Sequence, residues 1–241
     1  MDNGNHRDLI IAGSGSSGGG SFRHIRIDGF GKILSYVECE EFQSNGRSEV
    51  RGHTRGEKVE VNGSSKLYGN LDAGVLEVKG DAKVEGHVTY REFNGKGSMV
   101  VKGNMTGDSF ELEGGLQVDG DCAAETFVAN GGFQVGGLLN AGVIDITMFW
   151  ACKAQEIGGE KIIVRKSGLA SLWNPFLPKF ASKHLNAETI EGDEIYLEHT
   201  TAHIVRGNRV TLGPGCEVNL VEYKQHFEAD KSAKVKESRQ M

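Results

Sequence analysis

Two histidines four residues apart, His199 and His203, come nearest to a metal-ligand pair in this chain. That spacing brings imidazoles together only on a helix, and the flanking EIYLEHTTAHIVRG reads as strand and turn, so no metal site is expected. A second candidate is GSGSSG from Gly13 to Gly18, which follows LIIA and matches the GxGxxG of dinucleotide sites. Pyrophosphate binding there needs a helix N-terminus after the glycines; the strand-like FRHIRID follows instead, so neither a cofactor nor a nucleotide is expected. Glu60 and Glu77 stand in register, as paired carboxylates would. Catalytic β-helices that cleave acidic polysaccharides gather Asp, Arg and Lys on longer coils, and this pair alone reads as a solvated face. Cys39, Cys122, Cys152 and Cys216 lack CxxC spacing and read as buried reduced thiols. Serine or cysteine catalysis needs a base and an orienting group beside the nucleophile, and the outward positions supply no such set, so the chain is not expected to be an enzyme.

The elements that position these residues are set by glycine. Gly29, Gly46, Gly63, Gly80, Gly97, Gly114 and Gly131 recur every 17 residues, and Gly52, Gly69, Gly86, Gly103, Gly120 and Gly137 form a second ladder of the same period. A period of about 17 is too short for helical repeats and fits one coil of a β-solenoid. The apolar residues keep the register. Ile25, Phe42, Val59, Leu76, Phe93, Phe110, Phe127 and Ile144 form one column, with an inward partner two residues on in most coils. Two further i, i+2 pairs per coil begin at Gly31, Ser48 and Ser65 and at Val37, Thr54 and Leu71. Spacing by two is strand periodicity, so each coil holds three short strands and the cross-section is expected to be triangular. Glycine suits the corners because it tolerates positive φ and lets backbones approach. The fold expected is a single-stranded, right-handed parallel β-helix, the hand following the usual preference of parallel crossovers.

Composition sets bounds. The chain has 241 residues, 38% of them apolar, and a formal net charge of -6. Lys and Arg are scattered, with no basic stripe and no interleaved aromatics, which argues against a nucleic-acid partner. No run of about 18 apolar residues and no signal peptide is present, so a cytoplasmic chain is expected. The glycosylation patterns at Asn62 and Asn104 carry no weight in that compartment.

Residues 1–22 read as a flexible Gly/Ser-rich segment, 23–224 as the β-helix, and 225–241 as a polar tail. An insertion at about 167–184 carries two of the three prolines and the apolar cluster Leu172, Trp173, Phe176, Leu177 and Phe180, a candidate partner contact. Leu9, Ile10 and Ile11 form a second candidate contact, for a membrane or a partner protein, although three residues bury too little area for a stable anchor. Beyond the insertion the register resumes at Leu185. Ile195 and Leu197 then align with Val210 and Leu212 at a period of 15.

The ends of such a stack expose unpaired amides and carbonyls above an apolar interior, which is a template for another strand. No cap is evident before Ile25, and Val221 and Tyr223 run straight into the charged tail. Candidate polymerisation contacts are therefore Ile25, Ile27 and Ile33 in the first coil, and Leu212, Val218, Val221 and Tyr223 in the last. The coils VEVNGSSKLYG, LEVKGDAKVEG and LQVDGDC, between a flexible N-terminal segment and a polar tail, resemble the bactofilins, a bacterial polymer-forming cytoskeletal family. The resemblance covers residues 22 to 224. The closing segment from Gly192 to Tyr223 is similar to the longer members of Gram-positive bacteria. It implies nucleotide-free, end-to-end, non-polar filaments, often at the membrane, that scaffold cell-shape, envelope or motility proteins, with a paralogue as a further partner. Two other readings stand beside it: a non-polymerising binding module that uses the 167–184 insertion, and a hexapeptide-like acyltransferase, with His184 bordering the insertion.

Overall fold

The computed structural model describes residues 7–168 and 183–241. Among them every regular element is a strand, every strand pairing is parallel, and no helix occurs. The chain is an all-β parallel β-solenoid with about 17 residues per turn. Among the described residues, those up to Asp108 cluster with Gly114–Val118 as one compact unit, and Ser109–Glu113 cluster with those from Asp119 onward as a second.

The first unit begins with β1 (Leu9–Ile11), β2 (Ser14–Ser17), β3 (Gly20–Ile27) and β4 (Phe30–Ile33). A long and a short strand then alternate through β5 (Val37–Ser44), β6 (Arg47–Val50), β7 (Thr54–Val61), β8 (Ser64–Leu67), β9 (Leu71–Val78), β10 (Asp81–Val84), β11 (Val88–Gly95) and β12 (Ser98–Val101). β13 (Met105–Leu112) divides between the units, and β14 (Gly115–Val118) belongs to the first. Each long strand contains the third corner without breaking. Val37 and Cys39 face inward, Glu40 and Glu41 both face out, and Phe42 and Ser44 face inward again. Two successive outward residues interrupt the period of two, which is how one continuous strand serves two sides of the coil. Ser48 and Val50 of β6 supply the remaining inward pair. The columns stack in register, Val37 on Thr54 and Phe42 on Val59. Each fully buried Val, Ile, Leu or Phe contributes roughly 1.5–3 kcal/mol.

Positive φ does not explain the glycine ladders. Among the described glycines only Gly19, Gly20 and Gly215 adopt it, and none belongs to a ladder. Close approach is the cause. A Cβ on Gly46 would collide with the Gly29 carbonyl oxygen, and one on Gly63 with the Gly46 carbonyl oxygen. Beside the second ladder, side chains complete the corner. Asn70 Oδ1 accepts from His87 N at 2.9 Å, and His87 Nδ1 from Asn104 N at 3.0 Å.

The second unit continues through β15 (Cys122–Val135), β16 (Leu138–Lys153), β17 (Glu156–Lys166), β18 (Leu185–Leu197), β19 (Thr200–Leu212), β20 (Glu217–Ala229) and β21 (Lys234–Gln240). Ile144 and Ile146 pair with Ile162 and Val164, one residue longer than the standard coil, and Ile195 and Leu197 pair with Val210 and Leu212 at the short period. Met148 and Cys152 face inward as their spacing suggests, but Trp150 does not. The pairing slips from Gly131 opposite Met148 to Phe133 opposite Cys152, and the extra residues bulge Trp150 into solvent.

Both terminal segments differ from their compositional reading. Residues 9–22 are strand: Leu9 and Ile11 lie over Ile25 and Ile27, and the Ser/Gly run of β2 lies over β4, with Gly15 on Gly31 and Ser17 on Ile33. Glycine and serine are poor strand formers alone, but the edge of β3 and β4 offers a formed ladder to pair with. The polar tail is likewise ordered. β20 runs on to Ala229, a turn follows in which Ser232 N and Oγ donate to Asp230 Oδ1 at 2.8 and 2.6 Å, and β21 pairs with β20.

Candidate assembly faces

On the first unit the outer edge belongs to β1 and β2, and no described strand pairs beyond it. Leu9 is half-buried and Ile11 nearly buried, both over the isoleucine column, whereas Ile10 points out and is 67% exposed. The edge amides and carbonyls of Leu9–Ile11 and Ser14–Ser17 therefore surround an aliphatic floor. Asp8 flanks it, held by Arg23 at 3.1 Å and His24 at 3.2 Å. The Arg23 hydrogen bond draws the Asp8 carboxyl below its ordinary range. The Arg7 guanidinium lies 5.5 Å from the Phe22 ring centroid, covering the buried Phe22.

This geometry corrects the N-terminal contact set. Ile25, Ile27 and Ile33 are buried beneath β1 and β2 and are not terminal; the terminal inward residues are Leu9 and Ile11. Leu9 and Ile11 equally do not form an outward apolar patch with Ile10, because the strand alternation turns them in.

The last strand of the second unit makes the matching correction. Val218 and Val221 lie under Val235 and Ser238, Leu212 pairs with Ala229, and all three are buried. Tyr223 lies under Gln240, half-buried, its ring centroid 5.5 Å from that of Phe227. The outermost inward positions thus read Phe227, Ala229, Val235, Ser238 and Gln240, a mixed surface where the coils below are aliphatic. Lys234 pairs with Glu217 at 2.7 Å and Arg239 with Glu237 at 2.8 Å along this edge. Leu172, Trp173, Phe176, Leu177 and Phe180 lie outside the described residues.

No family model matches the sequence, and no solved structure matches it. The uncharacterised protein YhbE of Bacillus subtilis (strain 168) is 58% identical over 232 residues, which span 95% of this chain and 96% of YhbE. The chain belongs to the YhbE family. The uncharacterised YhbF of the same organism is 39% identical to it over 102 residues, 42% of this chain and 40% of YhbF.

In this YhbE-family chain the residues singled out for chemistry are scattered. His199 sits at a corner with φ 44°, while His203 lies outward and meets Asn219 Nδ2 through Nδ1 at 2.8 Å. Among the described residues no group of three or more His, Cys, Asp and Glu could hold a metal ion. His184 meets Thr201 Oγ1 at 2.7 Å, and burial draws its pKa below the ordinary value. Glu60 and Glu77 share Lys79, at 2.9 and 3.2 Å, and the hydrogen bond from Lys79 holds the Glu60 carboxyl below its ordinary range. The four cysteines are free and buried. Burial pushes the Cys39 and Cys122 thiols up to about 12 and those of Cys152 and Cys216 to about 11, far from a reactive thiolate. The residues that sequence reasoning missed are Leu9 and Ile11 as terminal inward positions. Their alternation and their 16-residue offset from Ile25 and Ile27 were the available signal.

Proposed function

We propose that this chain is a self-assembling scaffold whose copies join end to end through terminal solenoid coils, without nucleotide. One observation carries the reading: the outer edge of β1 and β2 leaves backbone hydrogen-bonding groups open around Leu9 and Ile11, and no described strand pairs with it. An open parallel edge is the feature that natural sheets protect against, and its cheapest partner is a strand of the same kind. The bactofilin-like coils support the same conclusion. Because the edge is backbone, a related chain of the same register fits it as well as a second copy. On this reading the filament organises envelope, shape or motility proteins at the inner surface of a bacterial cell.

Sedimentation velocity across a concentration series tests the proposal. The intact chain is expected to form species that grow with concentration in nucleotide-free buffer, and Ile11→Lys, whose ammonium can reach solvent at the end of the stack, to remain small and folded. A small, concentration-independent species for the intact chain overturns the reading.

A further inference from the structure

We propose that one side of the first unit is a docking surface for an anionic lipid bilayer. That side is built by the outward residues of β4, β6, β8, β10 and β12 and by the corners that follow them. It carries six cations, Lys32, Arg47, Arg51, Lys66, Lys83 and Lys102, against three carboxylates, Glu49, Asp81 and Glu85. The other two sides of the same unit each carry more carboxylates than cations, in a chain whose formal net charge is -6. An anionic surface therefore attracts this side and repels the others, fixing an orientation as well as an affinity.

Two of the carboxylates are already neutralised. Glu49 lies 3.5 Å from Lys32, and Glu85 lies 3.4 and 2.9 Å from Lys66 and Lys83. Arg47 and Arg51 pair with no carboxylate among the described residues, so their charge is available to a ligand.

The same side holds large apolar groups in solvent. Leu34 is 55% exposed, Tyr36 53% and Tyr68 37%. Aliphatic and tyrosine side chains set among lysine and arginine are the composition of a membrane–water interface, where rings sit at headgroup level and long cationic stems reach to the phosphates. Nucleic acid shares the anionic charge but fits less well. Arg51 and Lys66 cover the Tyr68 ring at 5.4 and 4.4 Å, and Lys32 lies 5.1 Å from the centroid of Phe30, so those faces are taken where a base would stack. Leu34 also has no role against a base or a ribose. Lipid contact thereby moves from the Leu9–Ile11 segment, where only Ile10 faces out, to the side built by β4, β6, β8, β10 and β12 and the corners that follow them. This inference is independent of end-to-end assembly, although assembly would multiply the contact.

Flotation of the intact chain with vesicles separates the alternatives. Equimolar phosphatidylglycerol and phosphatidylcholine is compared with phosphatidylcholine alone, and with duplex DNA in a parallel binding assay. Binding to the anionic vesicles is expected, with none to phosphatidylcholine. Each cation near such a surface is worth about fivefold in partition, so the double charge reversal Arg47→Glu, Arg51→Glu is expected to lower it by about 25-fold or more. Leu34→Ser with Tyr36→Ser is expected to weaken it severalfold, and Ile10→Ser to leave it unchanged. Sedimentation without vesicles reads assembly separately for every variant. No flotation of the intact chain, undiminished flotation of the charge-reversed variant, loss with Ile10→Ser alone, or charge-dependent binding to DNA with the vesicles left bare would each overturn the proposal.

Discussion

Thr54 is a hydroxyl in an apolar column. Val37, Thr54, Leu71 and Val88 stack in register, Thr54 is wholly buried, and its Oγ1 has no hydrogen-bond partner among the described residues. Its backbone N–H is satisfied by the Asn70 carbonyl at 2.9 Å, so the side chain alone is at fault. Valine has the same shape with a methyl in place of the hydroxyl. Leaving a hydroxyl unmet in the interior costs about 1–3 kcal/mol, and a buried methyl adds roughly 0.8 kcal/mol. Thr54→Val is therefore expected to stabilise the protein by roughly 2–4 kcal/mol. With a urea slope of about 1–3 kcal/mol per molar, the midpoint followed by circular dichroism rises by several tenths of a molar or more, the slope unchanged. Ser48, also buried, gives the opposite sign. It accepts from Ser44 Oγ at 3.0 Å and meets Ser65 Oγ at 2.7 Å, and both neighbours are buried. Ser48→Ala leaves them short of a partner and is expected to cost about 1–3 kcal/mol. A lower midpoint for Thr54→Val, or equal effects of the two substitutions, refutes the reasoning.

Other expectations follow from single contacts. Phe127 is wholly buried, stacked on Phe110 at 4.3 Å between centroids and edge-on to Phe133 at 5.5 Å; Phe127→Ala should cost about 3–5 kcal/mol in urea unfolding. Gly63→Ala drives a Cβ into the Gly46 carbonyl and should cost more than about 1 kcal/mol, read as a lowered midpoint at normal far-ultraviolet signal. Since Lys79 holds the Glu60 carboxyl below its ordinary 4.5, the pair stabilises the fold above that value and is lost as pH falls through the lower folded value. Acid titration of stability should therefore show a loss below about pH 4.5 that is smaller in Glu60→Gln.

The stack itself was legible because its signals are repeated. Phe42, Phe93, Phe110 and Phe127 recur at one position, and repetition turns a weak strand signal into a firm one. The lengthened coil at Ile162 and the short one at Val210 were legible for the same reason. The ends were not, because the periodic signal fades there. Leu9 and Ile11 lie 16 residues before Ile25 and Ile27, the strand between them is SGSS, and composition alone makes that a linker. What orders it is the ladder offered by β4, a tertiary cause that no local pattern records. β21, KVKESRQ, is ordered in the same way on β20. The glycine ladders were correctly placed at corners, yet their main cause is the carbonyl of the preceding coil rather than φ. Trp150 left its inward column through a bulge that spacing alone did not mark.

Negative-stain electron microscopy of the intact chain without nucleotide, beside the folded double variant Leu9→Lys, Ile11→Lys, tests the assembly claim most directly. Filaments from the intact chain that disappear in the variant are the expected result. Dispersed particles from the intact chain at high concentration, or filaments that persist unchanged in the variant, would contradict assembly through the β1 edge.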